Sequence, residues 1–188
     1  MIVLASASPR RKELLGLITQ DFEVAVSGAD ESCDISQPRE MVRALAIKKA
    51  EAVQKLYAED TIIGADTVVE VNGKVFGKPK SSEDARAMLT ELAGRAHFVH
   101  TGVCVLRGAR CIAEAFTTKV VFCPLTAEEI TDYLRQENVM DKAGAYAIQG
   151  SAAKFVTGID GCFFNVVGLP ISGVYRMLKE AAAISGCR

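Results

Sequence analysis

Thr61-Ile62-Ile63-Gly64-Ala65-Asp66-Thr67-Val68-Val69-Glu70-Val71, followed by Asn72-Gly73 and then Lys74-Val75-Phe76, decides the fold class. The run is dense in β-branched residues, which suits a strand. Asn-Gly accepts positive φ at both central positions and closes a tight hairpin into Val75-Phe76. An antiparallel hairpin therefore sits inside a chain whose strands and helices otherwise interleave.

Working outward, Ile2 to Ala5 is a short β-type run, and Ser8-Pro9 opens a helix carried on by Glu13, Leu14, Leu15 and Leu17. Phe22 to Val26 alternates as a strand does. Ser36 and Pro38 start a long helix expected to reach about Tyr57. After the hairpin, Ser82 is expected to cap a helix that ends near Gly94. Phe98–Leu106 and Cys111–Phe122 read as long strands joined by Arg107-Gly108-Ala109-Arg110. Thr126 with Glu129 forms a capping box for a helix to about Arg135. Asp141–Gly168 is rich in Gly and Ala and shows no clear period. Pro170 starts a last helix reaching about Ala183. The pattern predicts an α/β fold, a mixed β-sheet with helices packed on it. With 188 residues and no linker or repeat, residues 1–188 are expected to form one domain.

Apolar residues make up 49% and charged residues 24%, the balance of a soluble globular chain. A net charge of −1, with Lys and Arg spread along the chain, gives no general pull toward nucleic acid polymers. None of the six cysteines pairs with another at a C-x-x-C spacing, so a zinc knuckle or redox pair is not expected; they read as small buried hydrophobes of a reducing cytosol. The opening Met-Ile-Val-Leu-Ala lacks the basic flank of a signal peptide, and no apolar run approaches a membrane span. These features place the protein in the cytoplasm.

Chemistry concentrates in a few short strings. Ser6-Ala7-Ser8-Pro9-Arg10-Arg11 stands where a strand gives way to a helix; free N–H groups, hydroxyls and guanidinium groups there make an anion cradle, or simply a capped helix with solvated arginines. Counting along the long helix, Val42, Leu45, Ala46, Lys49, Val53 and Leu56 share one face. Lys49 thus interrupts an apolar stripe and must snorkel or meet an anion, while Lys48 lies on a more polar face. Asp66 is a carboxylate inside a very apolar strand, costly unless paired, hydrogen-bonded or metal-bound, and suited to a general base or metal ligand. Lys78 sits in a turn stiffened by Pro79. Asp30-Glu31 follows a strand and either holds a metal or is solvated. The small residues of Asp141–Gly150 would let a backbone approach a ligand. His97 and His100, three apart in a strand, face opposite ways and do not share a metal. P-loop, G-x-G-x-x-G and H-E-x-x-H motifs are missing from the sequence.

In this order the strings resemble the Maf family of nucleotide pyrophosphatases: Leu4 to Arg11 the opening phosphate loop, Asp30-Glu31 the acidic pair, Ala46 to Ala50 the helix lysine motif, then Gly64 to Val69, Gly77-Lys78-Pro79, Thr101-Gly102-Val103 and Asp141 to Gly150. The resemblance implies an elongated Maf/ITPase-like sheet with two lobes around a central cleft. It also implies a homodimer and a divalent cation (Mg or Mn) held by Glu31 and Asp66. Asp66 would activate water, with Glu31 and Lys49 completing the catalytic set. Ser6, Ser8, Arg10, Arg11, Thr67, Lys78 and Gln149 would contact the nucleoside triphosphate, with Arg11, Lys49 and Lys78 on its phosphates. Arg10, Thr67 and Gln149 together resemble the dTTP/UTP subgroup, whose reaction yields the monophosphate and pyrophosphate. His100, where many relatives carry an aromatic residue, is expected to affect packing only. The enzymatic alternative is a Maf-type pyrophosphatase acting on modified nucleotides more than on dTTP or UTP, and the reading from another class is a nucleotide-binding regulator linked to septum formation, without turnover.

Overall fold

Strand β1 (Ile2–Ala5) pairs in parallel with both β2 (Phe22–Val24) and β3 (Thr61–Val71), so Ile2 faces Phe22 on one side and Thr61 on the other. The hairpin follows as expected: Asn72 (φ 52°) and Gly73 (φ 75°) are both left-handed, and β3 turns back antiparallel onto β4 (Lys74–Phe76). Strands β5 (Ala96–Arg107) and β6 (Arg110–Phe122) are neighbours in the sheet, and β6 pairs antiparallel with β7 (Val156–Asp160). The order β2-β1-β3-β5-β6-β7, with β4 on β3, makes a seven-stranded mixed sheet, the α/β class read from the sequence. This computed structural model describes residues 1–183.

Among the described residues six α-helices accompany the strands: α1 (Pro9–Gly16), α2 (Pro38–Gln54), α3 (Ser82–Leu92), α4 (Ala127–Gln136), α5 (Phe163–Val167) and α6 (Ile171–Ala183). Ser8 caps α1, and Thr126 and Glu129 form the capping box of α4. The cap of α3 is Ser81 rather than Ser82: Ser81 is extended and its hydroxyl accepts the Asp84 N–H. Helix α2 stops at Gln54, short of Tyr57. Leu56, placed on the buried face by the helical count, lies past that end and is 83% exposed. The stretch without a clear period contains short 3₁₀ turns at Ala143–Ala145 and Ser151–Phe155, then β7 and α5.

The chain packs as two units, one of Met1–Asp66, Thr101–Phe116 and the chain from Gly168 onward, the other of Thr67–His100 and Thr117–Val167. In the first, Val3, Ala5 and Ile62 of the sheet pack with Ala46, Ala50 and Val53 of α2, and with Cys104 and Leu106 of β5. A Cβ on Gly64 would stand 2.1 Å from the Ala46 carbonyl oxygen, and one on Gly102 would stand 2.1 Å from that of Val42. Only glycine lets α2 lie this close to β3 and β5, and this closeness sets the reach of side chains from α2 to β3.

The buried-cysteine reading holds for Cys104, whose thiol pKa burial pushes up. Cys111, beside the β5–β6 turn, is exposed with its Sγ 3.6 Å from that of Cys104, while Cys33, Cys123 and Cys162 are half-buried; all five are free thiols, and Cys187 lies outside the described residues. Among the described residues no helix is long and apolar enough to cross a membrane.

The second unit is centred on rings: Phe122 meets His97, Tyr146 and Phe155 edge-on, and Tyr133 packs on Phe155. His97 is fully buried and its Nε2 shares a 2.8 Å hydrogen bond with Tyr146 Oη. Burial lowers its pKa from 6.5 to about 4. The unfolded chain therefore takes up a proton that the folded chain refuses. This contribution to stability is complete above pH 6.5 and declines as pH falls toward 4, by about 3 kcal/mol over the window. Urea unfolding of His97→Gln should show a flatter pH dependence than wild type across that window; parallel curves would contradict the assignment.

Candidate active site

The end of β1 delivers Ser6 into the first unit, where it is 8% exposed. Its hydroxyl oxygen accepts from the Ser8 N–H and from Arg11 Nη1, each at 3.3 Å, while the Ser8 hydroxyl accepts the Arg11 N–H as the cap of α1. The Arg11 guanidinium also donates from Nε to the Gly168 carbonyl and from Nη1 to the Ala65 carbonyl, both at 2.9 Å. Burial lowers its pKa below the ordinary arginine value, Asp66 opposes that, Arg10 adds to it and Glu31 opposes it. Arg11 thereby ties the start of α1 to β3, one residue before Asp66. Arg10, the next side chain back, is half-buried.

Lys49 is 8% exposed on the face of α2 that the helical count assigned to it, flanked by buried Ala46, Ala50 and Val53. Its ammonium does not snorkel to water. Nζ donates to Asp66 Oδ1 at 2.5 Å and pairs with Glu31 Oε1 at 2.9 Å. The close approach of α2 at Gly64 makes this reach possible. Lys48 is exposed, as the count implies, and donates to the Ser32 carbonyl at 2.9 Å. The acidic pair divides: Glu31 turns to Lys49, whereas Asp30 accepts both the N–H and the hydroxyl of Ser32, which hold its pKa below the usual carboxylate range.

Glu31, Lys49, Asp66, Arg11 and Ser6 are thus brought together in one unit, two carboxylates facing one ammonium with a guanidinium behind them. Thr67, half-buried, is the next residue of β3 and begins the second unit, which also carries the exposed Lys78 and Gln149. Of the two glycines in the Asp141–Gly150 stretch, Gly144 serves packing: it has φ 67°, a Cβ there would stand 2.9 Å from Val69 Cγ2, and its N–H donates to the Gly77 carbonyl at 3.0 Å. This contact joins two of the strings picked out in the sequence. His100 does more than pack: it hydrogen-bonds Thr117 Oγ1 through Nδ1 at 2.9 Å and Glu70 Oε2 through Nε2 at 3.0 Å. Sequence reasoning missed the Gly168 and Ala65 carbonyls on Arg11, which no local pattern announces.

A mixed sheet with a charged constellation midway along β3 defines a class of fold that comparison makes specific. The chain is similar over 96% of its length to the solved structure of the Staphylococcus aureus Ham1 protein, with a TM-score of 0.54, 16% identity and 98% of that chain covered, which establishes a shared fold. The family model described as Maf-like protein matches residues 1–181, and the chain belongs to the Maf family. It is 48% identical to the dTTP/UTP pyrophosphatase of Carboxydothermus hydrogenoformans over 95% of this chain and 97% of that one. To the dTTP/UTP pyrophosphatase of Thermococcus kodakarensis it is 46% identical, over 96% of each.

Proposed function

We propose that this chain hydrolyses dTTP and UTP to the nucleoside monophosphate and pyrophosphate, clearing such nucleotides from the cytoplasmic pool. The observation that carries the reading is the Glu31–Lys49–Asp66 constellation beside the anchored Arg11, in a Maf-family chain whose relatives are named for this reaction. Asp66 accepts the proton of a water whose oxygen bonds to the α-phosphorus. The α–β bridging oxygen leaves with pyrophosphate. Lys49, once a triphosphate competes for it, turns from carboxylate to phosphate. Ser6, Ser8, Arg10, Arg11 and Lys78 add hydroxyl and cationic contacts to an anion of about four charges.

The donor set suits a divalent cation that arrives with its substrate. Glu31 and Asp66 are hard oxygen donors, and among the described residues no group of three His, Cys, Asp or Glu side chains forms a protein-only cage. Mg²⁺ characteristically takes one or two carboxylates and completes its shell with phosphates and water. Held by Glu31 and Asp66, Mg or Mn would neutralise phosphate charge in the transition state. A homodimer belongs to the same proposal, and sedimentation of the purified chain tests it.

Base choice rests on Arg10, Thr67 and Gln149. Uracil and thymine offer an acceptor at O4 where cytosine has an amino donor. Gln149 can match either pattern by flipping its amide, whereas Arg10 only donates. Arg10 facing O4, directly or through a water, would favour uracil and thymine by roughly 10–100-fold, the worth of a hydrogen bond to a charged group. Steady-state kinetics across the common ribo- and deoxyribonucleotides should give dTTP and UTP a higher kcat/KM than CTP. Gln149→Glu should lower activity on both while sparing stability. A wild-type preference for CTP or a purine would remove the dTTP/UTP assignment.

A further inference from the structure

Glu137 occupies an unfavourable place. It is the C-cap of α4, with φ −116° and ψ 135°, so its charge lies at the negative end of the helix dipole. Its carboxylate instead serves a distant turn. Oε1 accepts the Ser151 N–H at 3.0 Å and the Ser151 hydroxyl at 2.8 Å. A Cβ on Gly150 would stand 2.9 Å from the same oxygen, and Gly150 has an ordinary φ of −97°, so glycine is needed here for the approach of Glu137 and not for backbone freedom. One helical turn earlier on α4, Tyr133, fully buried, accepts the Ala147 N–H on its hydroxyl at 3.3 Å. Gly150 N–H closes onto the Ala147 carbonyl at 3.0 Å. Gln149 is therefore the exposed residue of a short turn pinned at 147 by Tyr133 and at 151 by Glu137.

We infer that Glu137 is a positioning residue for base recognition: its hold on Ser151 fixes the turn that presents Gln149 to the pyrimidine. The inference rests on the proposed role of Gln149. The Ser151 N–H, then its hydroxyl, keep the Glu137 carboxyl below the usual carboxylate range, and Lys142 adds to this, so the clamp is charged at neutral pH. A charged acceptor holds such a turn more firmly than a neutral one.

The test measures kcat and KM for UTP and CTP in Glu137→Ala, Glu137→Gln, Gln149→Ala and the Glu137→Ala/Gln149→Ala double variant, with amide hydrogen exchange at Gln149, Gly150 and Ser151. Glu137→Ala should raise KM by about 10-fold for UTP and CTP alike, since the Gln149 amide matches either base, and leave kcat little changed. Glu137→Gln keeps an acceptor and should stay near the wild-type KM. With Gln149 already removed, Glu137→Ala should raise KM no further, because the two residues act as one device. A wild-type KM in Glu137→Ala, or an equal rise with and without Gln149, overturns the inference. Failure of the wild-type chain to hydrolyse UTP would overturn the functional reading instead; the clamp is then decided by exchange, and unchanged protection of the Ser151 amide in Glu137→Ala overturns it.

Discussion

Asp66→Asn should abolish turnover while leaving the fold intact. Asn is nearly isosteric with Asp, and its side-chain oxygen can still accept from Lys49 Nζ, now 2.5 Å from Oδ1. What it loses is basicity and the charge that holds a cation. Removing a positioned base typically costs about 10²–10⁴-fold in rate, and weaker metal binding adds to that. The measurement is pyrophosphate release from UTP by purified variant and wild type, with circular dichroism to verify folding. A variant retaining more than half of the wild-type rate would show that Asp66 is not the base.

Lys49→Met should be the second most damaging change, and it should differ sharply from Lys48→Met. Both keep helix propensity and stem length. Lys49 is the buried partner of Asp66 and Glu31, whereas Lys48 is exposed and donates to the Ser32 carbonyl. The sequence left Lys49 either to snorkel or to meet an anion, and the structure gives it two carboxylates. Deleting the ammonium leaves two carboxylates facing each other, so Lys49→Met should lose stability as well as rate. The cost should lie somewhat below the ~3–5 kcal/mol of breaking a fully buried pair, because Glu31 is 56% exposed. Lys48→Met should stay within about 0.5 kcal/mol of wild type. Thermal melts and initial rates on the two variants decide this; equal effects would remove the distinction between the two faces of α2.

The helical count that singled out Lys49 succeeded because α2 is long enough to show its period and buried enough for that period to matter. β3 and its hairpin were legible because Asn72-Gly73 admits one turn geometry. Locally written caps, such as Thr126 with Glu129, were legible for the same reason, while Ser81 and Ser82 offered two equivalent hydroxyls and only the backbone chose between them. What the sequence could not reveal were partners set by tertiary closure. The Gly168 carbonyl reaches Arg11 across 157 residues, and Glu31 was separated from Asp30 only by which carboxylate Ser32 captured. The glycines at 64, 102 and 144 were visible as motif letters, but their purpose, admitting α2 and Val69 to close range, belongs to packing. The roles of His100 and Glu137 likewise depend on neighbours far along the chain.

Cleavage of a pyrimidine triphosphate between its α- and β-phosphates is the reaction proposed for the Glu31–Lys49–Asp66 site. ³¹P NMR of UTP incubated with the wild-type chain and Mg²⁺ or Mn²⁺ tests it most directly. UMP and pyrophosphate should appear together in equal amounts, with no UDP intermediate, and neither product should form with Asp66→Asn. Accumulation of UDP and orthophosphate, or nucleotide that binds the wild-type chain and remains intact, would contradict it.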